Sequence, residues 1–313
     1  MHKVQSYTKS LIFSGFFALN IGFITSVSTA WADNHTPLEI VATFSVPADL
    51  VERVAGEHGN VTSLTPRGAE AHDWELTPSN FMALEDADIV FYNGFNLEQW
   101  MSQVRATLSE DVPLVELAAQ ADYPTLPIIT GDYEGETDPH MWMDPRAAVA
   151  YVNVIAESLA EKQPAHADAF HQRAEDTVNA LYALHQELTE LLGTIPDNQR
   201  LLITSEAAFS YFADAYGFTH NGIWGTNSET EGTPSQVMRV IDLVNTRQPK
   251  ALFWESTISD RHVTAIARDT QVEIAGPLYV DSLSSDEGPA ADYFALMRHN
   301  ARLLRDTLGG IQE

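Results

Sequence analysis

Not one of the 313 residues is cysteine, and only 17 are lysine or arginine, against 44 aspartate and glutamate. The first absence excludes disulfides, which an exported chain could otherwise use. It also excludes a thiol nucleophile and the cysteine acceptor that a bacterial lipoprotein needs at its mature N-terminus. The scarcity of basic side chains makes the chain a poor partner for nucleic acid or an anionic membrane, whose affinity rests on Lys and Arg. A net charge of −27 reads first as solubility, with attraction of cations as the sharper alternative that charge alone does not favour. Beyond the N-terminus no apolar run is long enough to cross a bilayer. Several catalytic signatures are missing too: there is no H-E-x-x-H, no G-x-S-x-G, and no Walker loop or G-x-G-x-x-G after a strand.

What is present begins with Lys3 and Lys9, the apolar run "LIFSGFFALNIGFITSVSTAWA", and a small-x-small site at Ala30-Trp31-Ala32. This pattern predicts a secretory signal peptide over residues 1–32. Its removal takes away two lysines and no acid, so the mature chain is still more acidic. With no cysteine to carry a lipid, the expectation is a periplasmic protein without a lipid anchor, and a Gram-positive surface lipoprotein is excluded on this reading.

After the signal, apolar runs alternate with helical patterns. "LEIVATFS" (38–45), "VTSLTP" (61–66), "DIVFYNG" (88–94) and "PLVELA" (113–118) read as strands with helices between them. Such alternation predicts a parallel sheet covered by helices. From Asp144 to Gly193 two helical blocks follow. In the second, Ala169, Phe170, Ala174, Val178, Leu181, Leu184, Leu188 and Leu192 recur at three- and four-residue steps. Roughly thirty residues at 1.5 Å each give about 40 Å of helix. Strand patterns resume at "RLLITSE" (200–206), "ALFWES" (251–256) and "VEIAGPLYVDS" (272–282). The predicted fold is α/β: an N-terminal lobe over 33–165, a linking helix over 166–193 and a C-terminal lobe over 194–313, with a functional cleft between the lobes. A helical link rather than flexible crossovers predicts limited hinge motion.

In open parallel sheets, functional groups gather beyond the carboxyl ends of the strands. Four titratable residues stand there: His72 in "RGAEAHDWELTPS", His140 in "DYEGETDPHMWMDP", Glu206 ending "LLITSE", and Asp281 after "AGPLYV". Each has an ordinary reading as well. A histidine in a polar loop is commonly just solvated. Glu206 could be a first-turn carboxylate facing a helix dipole with Ser205 as cap, and Asp281 could cap a turn with Ser282. The other nine histidines sit mostly at helical or exposed-looking positions.

Taken in order, however, these segments resemble the manganese/zinc/iron-binding solute receptors of ABC importers, over essentially the whole mature chain. "AHDWELTPSNFMALEDADIVFYNGFNLEQW" is similar to the family's first-ligand region, with Leu76 and Asn80 in place of the usual Pro and Asp. "DPHMWMDPRAAVAYVNVIAESL", "ITSEAAFSYFADAYGF" and "YVDSLS…GPAADYFALMRHN" resemble the second, third and fourth, and "IWGTNSETEGTPSQV" (223–237) resembles the signature of the second lobe. The resemblance implies a metal site of His72, His140, Glu206 and Asp281, a membrane permease as partner, no enzymatic activity and a monomer. It also implies manganese, with iron as the companion reading. Zinc receptors of this family usually carry His where Glu206 stands, and a long His-rich loop where this chain has the short "TGDYEGETD". Two neutral imidazoles and two carboxylates neutralise a dication, and oxygen ligands suit manganese. A zinc receptor of the same fold is the alternative, and a metal-dependent hydrolase, with the ion activating water, a second. Glu75, Trp74 and Asp138 are candidates to orient the ligand imidazoles.

Overall fold

In the computed structural model the described residues are 2, 36–227 and 230–309. The signal peptide expected over 1–32 thus lies outside them apart from His2. Among the described residues no helix is long and apolar enough to cross a membrane.

The chain opens with β1 (Leu38–Ala42), α1 (Ser45–Ala55), β2 (Gly59–Ser63), α2 (Pro78–Glu85), β3 (Ile89–Tyr92), α3 (Met101–Thr107), β4 (Leu114–Glu116) and the single turn α4 (Leu117–Gln120). The four strands form one parallel sheet in the order β2-β1-β3-β4. β3 is the run Ile-Val-Phe-Tyr with all four residues buried, as expected where helices cover both faces of a sheet. Two helices follow, α5 (Pro145–Lys162) and α6 (Ala167–Leu192). Asp144 caps α5 by accepting the Arg146 amide, and Pro145 takes the first helical position, where its missing N–H costs nothing.

α6 runs 26 residues and buries one stripe, Phe170, Ala174, Thr177, Leu181, Leu184, Leu188 and Leu192. Val178, expected in that stripe, is only half-buried at its edge. The apolar core built on this stripe is continuous, from Leu38, Phe44 and Trp142 through α6 to Phe209, Tyr293 and Leu308. The long helix therefore lies against side chains from both ends of the sequence.

Beyond it come β5 (Leu201–Glu206), α7 (Ser210–Tyr216), β6 (Thr219–Trp224), α8 (Pro234–Arg247), β7 (Ala251–Glu255), α9 (Arg261–Thr270), β8 (Glu273–Leu278) and α10 (Tyr293–Leu308). β5 pairs with β6 and β7 with β8, both parallel. The architecture is α/β with parallel sheets flanked by helices and a long joining helix, as predicted. Strand β6 has no counterpart among the expected strands. Its residues Thr-His-Asn-Gly-Ile-Trp contain no apolar run, and its amino-terminal half is only partly buried.

Candidate metal centre

The four residues selected from the sequence come together. His72 sits in the loop after β2, His140 just before a 3-10 turn (Met141–Met143) that leads into α5, Glu206 at the last position of β5, and Asp281 three residues past β8. His72 and Glu206 are fully buried, and His140 and Asp281 are 1% exposed. One nitrogen or oxygen from each lies within 4.8 Å of the other three. Glu206 Oε1 is 3.4 Å from His72 Nε2 and 3.6 Å from His140 Nε2. Asp281 Oδ1 is 3.6 Å from His140 Nε2, and Oδ2 is 4.0 Å from His72 Nε2. These separations are too long for hydrogen bonds. They suit donors around a common ion: four ligands about 2.1 Å from one centre in a tetrahedral array stand about 3.4 Å apart.

The hydrogen-bond inventory points the same way. His72 Nε2, His140 Nε2, Glu206 Oε2 and both carboxylate oxygens of Asp281 are buried with no hydrogen-bond partner. Buried polar atoms normally find partners, and five left over at one place are what a cation would satisfy. The imidazole tautomer fits. His140 Nδ1 lies 2.8 Å from Asp138 Oδ1, so the ring donates its Nδ1–H to that carboxylate and keeps a lone pair on Nε2. Burial, then the neighbouring His140, pushes His72 well below the usual histidine range, so it is neutral and able to ligate. Burial, then mutual repulsion with Asp281, drives Glu206 well above the carboxylate range, and Asp281 is raised by burial, then Glu70. Two imidazoles and two carboxyl groups form a set that, once both carboxyls ionise, a dication would neutralise.

The surrounding loops explain these placements. The His72 loop is pinned at Asn80, a departure from the family pattern. Asn80 closes a capping box with Thr77 at the start of α2 and donates its side-chain amide to Leu64 O at 2.9 Å. Trp74 Nε1 donates to the same Asn80 at 3.1 Å, so it anchors the loop and does not orient His72. Glu75 is exposed. Of the three orienting residues suggested by the sequence, Asp138 alone touches the ring of either candidate histidine. The alternative roles fail on geometry. Glu206 ends a strand, and α7 begins four residues later with no side-chain cap. Asp281 caps nothing, while Ser282 Oγ accepts the Gly68 amide at 2.7 Å.

Four further residues reach the site. Glu70 Oε1 accepts the His72 amide at 3.0 Å, Thr226 Oγ1 is 3.4 Å from His72 Nδ1, Asn227 N donates to Glu206 Oε1 at 2.7 Å, and Glu255 Oε1 accepts the Glu206 amide at 3.2 Å. Glu255 had a visible signal. "ALFWE" ends in a carboxylate just as "LLITSE" does, and the two strand ends meet. A cavity of about 600 Å³ lies elsewhere, on the α5 and α6 surface by Tyr123, Arg146 and Tyr182.

Comparison with known proteins is decisive. The family described as "Zinc-uptake complex component A periplasmic" matches residues 40–307. The chain belongs to this family. It is 37% identical to the iron-binding protein YfeA of Yersinia pestis over 283 residues, 88% of this chain and 90% of that one. It is also 37% identical to the manganese-binding lipoprotein MntA of Halalkalibacterium halodurans over 272 residues, 87% and 89% of the two chains. Among solved structures, the periplasmic zinc-binding protein TroA of Treponema pallidum superposes with a TM-score of 0.81 at 26% identity, covering 88% of this chain and 100% of that one. The protein is a metal-binding substrate-binding protein of an ABC transporter, a receptor rather than an enzyme. Receptors of this kind work with a membrane permease and its ATPase.

One expectation is overturned. The manganese-binding relative is named a lipoprotein, which contradicts a receptor without a lipid anchor and the exclusion of a surface lipoprotein. The absence of cysteine removes one attachment chemistry, and that was too narrow a ground for denying an anchor.

Proposed function

We propose that this receptor captures Mn²⁺, with Fe²⁺ as the companion cargo, through His72, His140, Glu206 and Asp281, and passes it to the permease of an ABC importer. The observation that carries the reading is the donor set. Five buried atoms without partners are shared by two imidazoles and two carboxylates, with Glu206 adding oxygen where an imidazole would favour zinc. The manganese- and iron-binding relatives support it. On this proposal the lobes span 33–165 and 194–313 with 166–193 between them. The receptor acts as a single copy, because one chain supplies all four ligands.

Zinc is the second reading, favoured by the TroA likeness and by the higher intrinsic affinity of zinc at nitrogen and oxygen sites. Zinc is therefore expected to bind in vitro, with geometry and metal supply deciding in the cell. A calorimetric titration of Mn²⁺ into metal-free protein, with Glu206→His alongside, separates the two. Tight one-to-one manganese binding that the substitution weakens supports the proposal. Poor manganese binding beside tight zinc binding sinks it.

A further inference from the structure

Two ligands of the site are joined by a path that does not pass through the ion. Glu70 accepts the His72 amide with one carboxylate oxygen at 3.0 Å and the Asn227 side-chain amide with the other at 2.9 Å. Asn227 in turn donates its backbone N–H to Glu206 Oε1 at 2.7 Å, and its side-chain oxygen accepts Trp224 Nε1 at 2.8 Å. Asn227 is 8% exposed. It thus links the loop that carries His72 with the strand end that carries Glu206, residues far apart in sequence.

The Asp281 side is built differently. There the backbone itself is stitched to the first half of the chain. Leu283 N bonds Ser45 Oγ at 2.9 Å, Gly68 N bonds Ser282 Oγ at 2.7 Å, and Arg67 reaches Ser284 O at 3.0 Å and Ala291 O at 2.6 Å. The segment that carries Asp281 is therefore tied directly to the first half of the chain. Glu206 is tied to the His72 loop through side chains that can let go.

We infer that Asn227 is a positioning residue for the transported metal: with Glu70 it forms a clasp between the His72 loop and Glu206, and this clasp sets how long the ion is retained. The inference rests on the metal-receptor reading above. The clasp is a charge-assisted hydrogen bond between a carboxylate and an amide, strong when made and unfavourable when its donor becomes a second carboxylate.

Asn227→Asp tests it, because two effects then act in opposite directions. The substitution keeps the size of the side chain and an acceptor for Trp224. It adds negative charge near a dication, which by Coulomb attraction alone slows release. It also sets a carboxylate against Glu70, which opens the clasp and speeds release. Glu70→Gln in the same chain restores the bond with its direction reversed: the glutamine oxygen still accepts the His72 amide, and its nitrogen donates to Asp at 227. The net charge of the double variant equals that of the wild type.

The experiment loads the protein with Mn²⁺, mixes it rapidly with excess chelator and follows the free ion. Asn227→Asp should release about tenfold faster, in the range found when groups that orient metal ligands are lost, and the double variant should return close to the wild-type rate. Release from Asn227→Asp that is equal to or slower than wild type overturns the inference, as does a double variant as fast as the single. Should Asn227→Asp not fold, Glu70→Ala carries the same expectation, and unchanged release there overturns it equally. Failure of the wild type to hold Mn²⁺ is a different result. It defeats the manganese reading, and the same variants loaded with Zn²⁺ then decide the clasp.

Discussion

Glu206 and Asp281 are two carboxylates of one site, and the protein holds them in opposite ways. At Glu206 the side chain is gripped, one oxygen taking the Asn227 amide, while the other is left without a partner. At Asp281 the surrounding backbone is fastened by Ser45, Arg67 and Gly68, yet neither carboxylate oxygen has a hydrogen bond. The contrast separates two tasks. A carboxylate fixed at one oxygen is pre-organised, so less ordering is needed when the ion arrives. A carboxyl group with neither oxygen hydrogen-bonded, on a fastened backbone, offers both oxygens to a cation.

The largest effect that would break or sharpen this comparison is expected at Asp281. Asp281→Asn should lower metal affinity by at least about a hundredfold, since a ligand is lost outright where even an orienting group costs 10 to 100. In the metal-free protein the same change should raise the melting temperature, because it removes a buried carboxyl group that must either hold a proton above its ordinary value or stand as an uncompensated charge. Glu206→Gln should lose the metal as well but gain less in metal-free stability, its Asn227 bond being weakened at the same time. Paired melting curves and metal titrations check both. A metal-free Asp281→Asn protein that melts below wild type would break the comparison.

Next in size is the imidazole side. Asp138 bonds both the backbone and the ring of His140, at 2.9 and 2.8 Å. Asp138→Ala should weaken metal binding by about 10- to 100-fold through loss of ring orientation and tautomer. A titration in which Asp138→Ala matches wild type would show that the ring is held by packing, for instance against Trp142, whose ring centroid is 5.4 Å away.

A smaller, pH-dependent effect is expected at Glu255. Burial pushes it up to about 8. The metal-free folded protein thus holds a proton that the unfolded chain releases near the ordinary value of 4.5. Stability from this group is present below that value and is lost as pH rises through about 8. Glu255→Gln should flatten the decline of the metal-free melting temperature over that window. Metal binding runs the other way. Protons held on Glu206 and Asp281 must leave when the ion enters, so affinity should rise with pH, and titrations in buffers of different ionisation heat should report proton release. A pH-independent difference between Glu255→Gln and wild type would remove the titration argument.

The order of elements, the long helix and the four converging side chains were legible because each rests on a strong local pattern or on a motif in fixed order. Strand β6 was not, since its burial comes from neighbours that a single sequence does not display. The residues that steady the four converging side chains divide in the same way. Asp138 stands two positions before His140 and could be proposed from proximity. Asn227 acts through its own backbone N–H and through partners in the first half of the chain, and no side-chain type announces that role. Glu70 also stands two positions before its ligand, yet what it reaches, the amide of Asn227, is set by the fold.

The smallest effect is expected at a residue that sequence proximity favoured. Glu75 follows His72 by three positions and carries a carboxylate suited to an imidazole, yet its side chain is exposed while His72 is fully buried. The loop turns between them: Trp74 bonds Asn80, Leu76 is buried, and Thr77 begins the cap of α2. A solvated carboxylate on the far side of that turn is screened from the ion by water, and exposed single charges contribute little to either stability or binding. Glu75→Ala should therefore leave metal affinity, release rate and melting temperature within error of wild type. The equivalent change at Asp138, with the same chemistry and a similar sequence distance from its histidine, should not. A measurable loss at Glu75 would mean that the approach of the cation along the acidic surface, not the grip of the site, limits capture. Raising the ionic strength would then abolish the difference, because screening acts on the approach and leaves the buried ligands untouched.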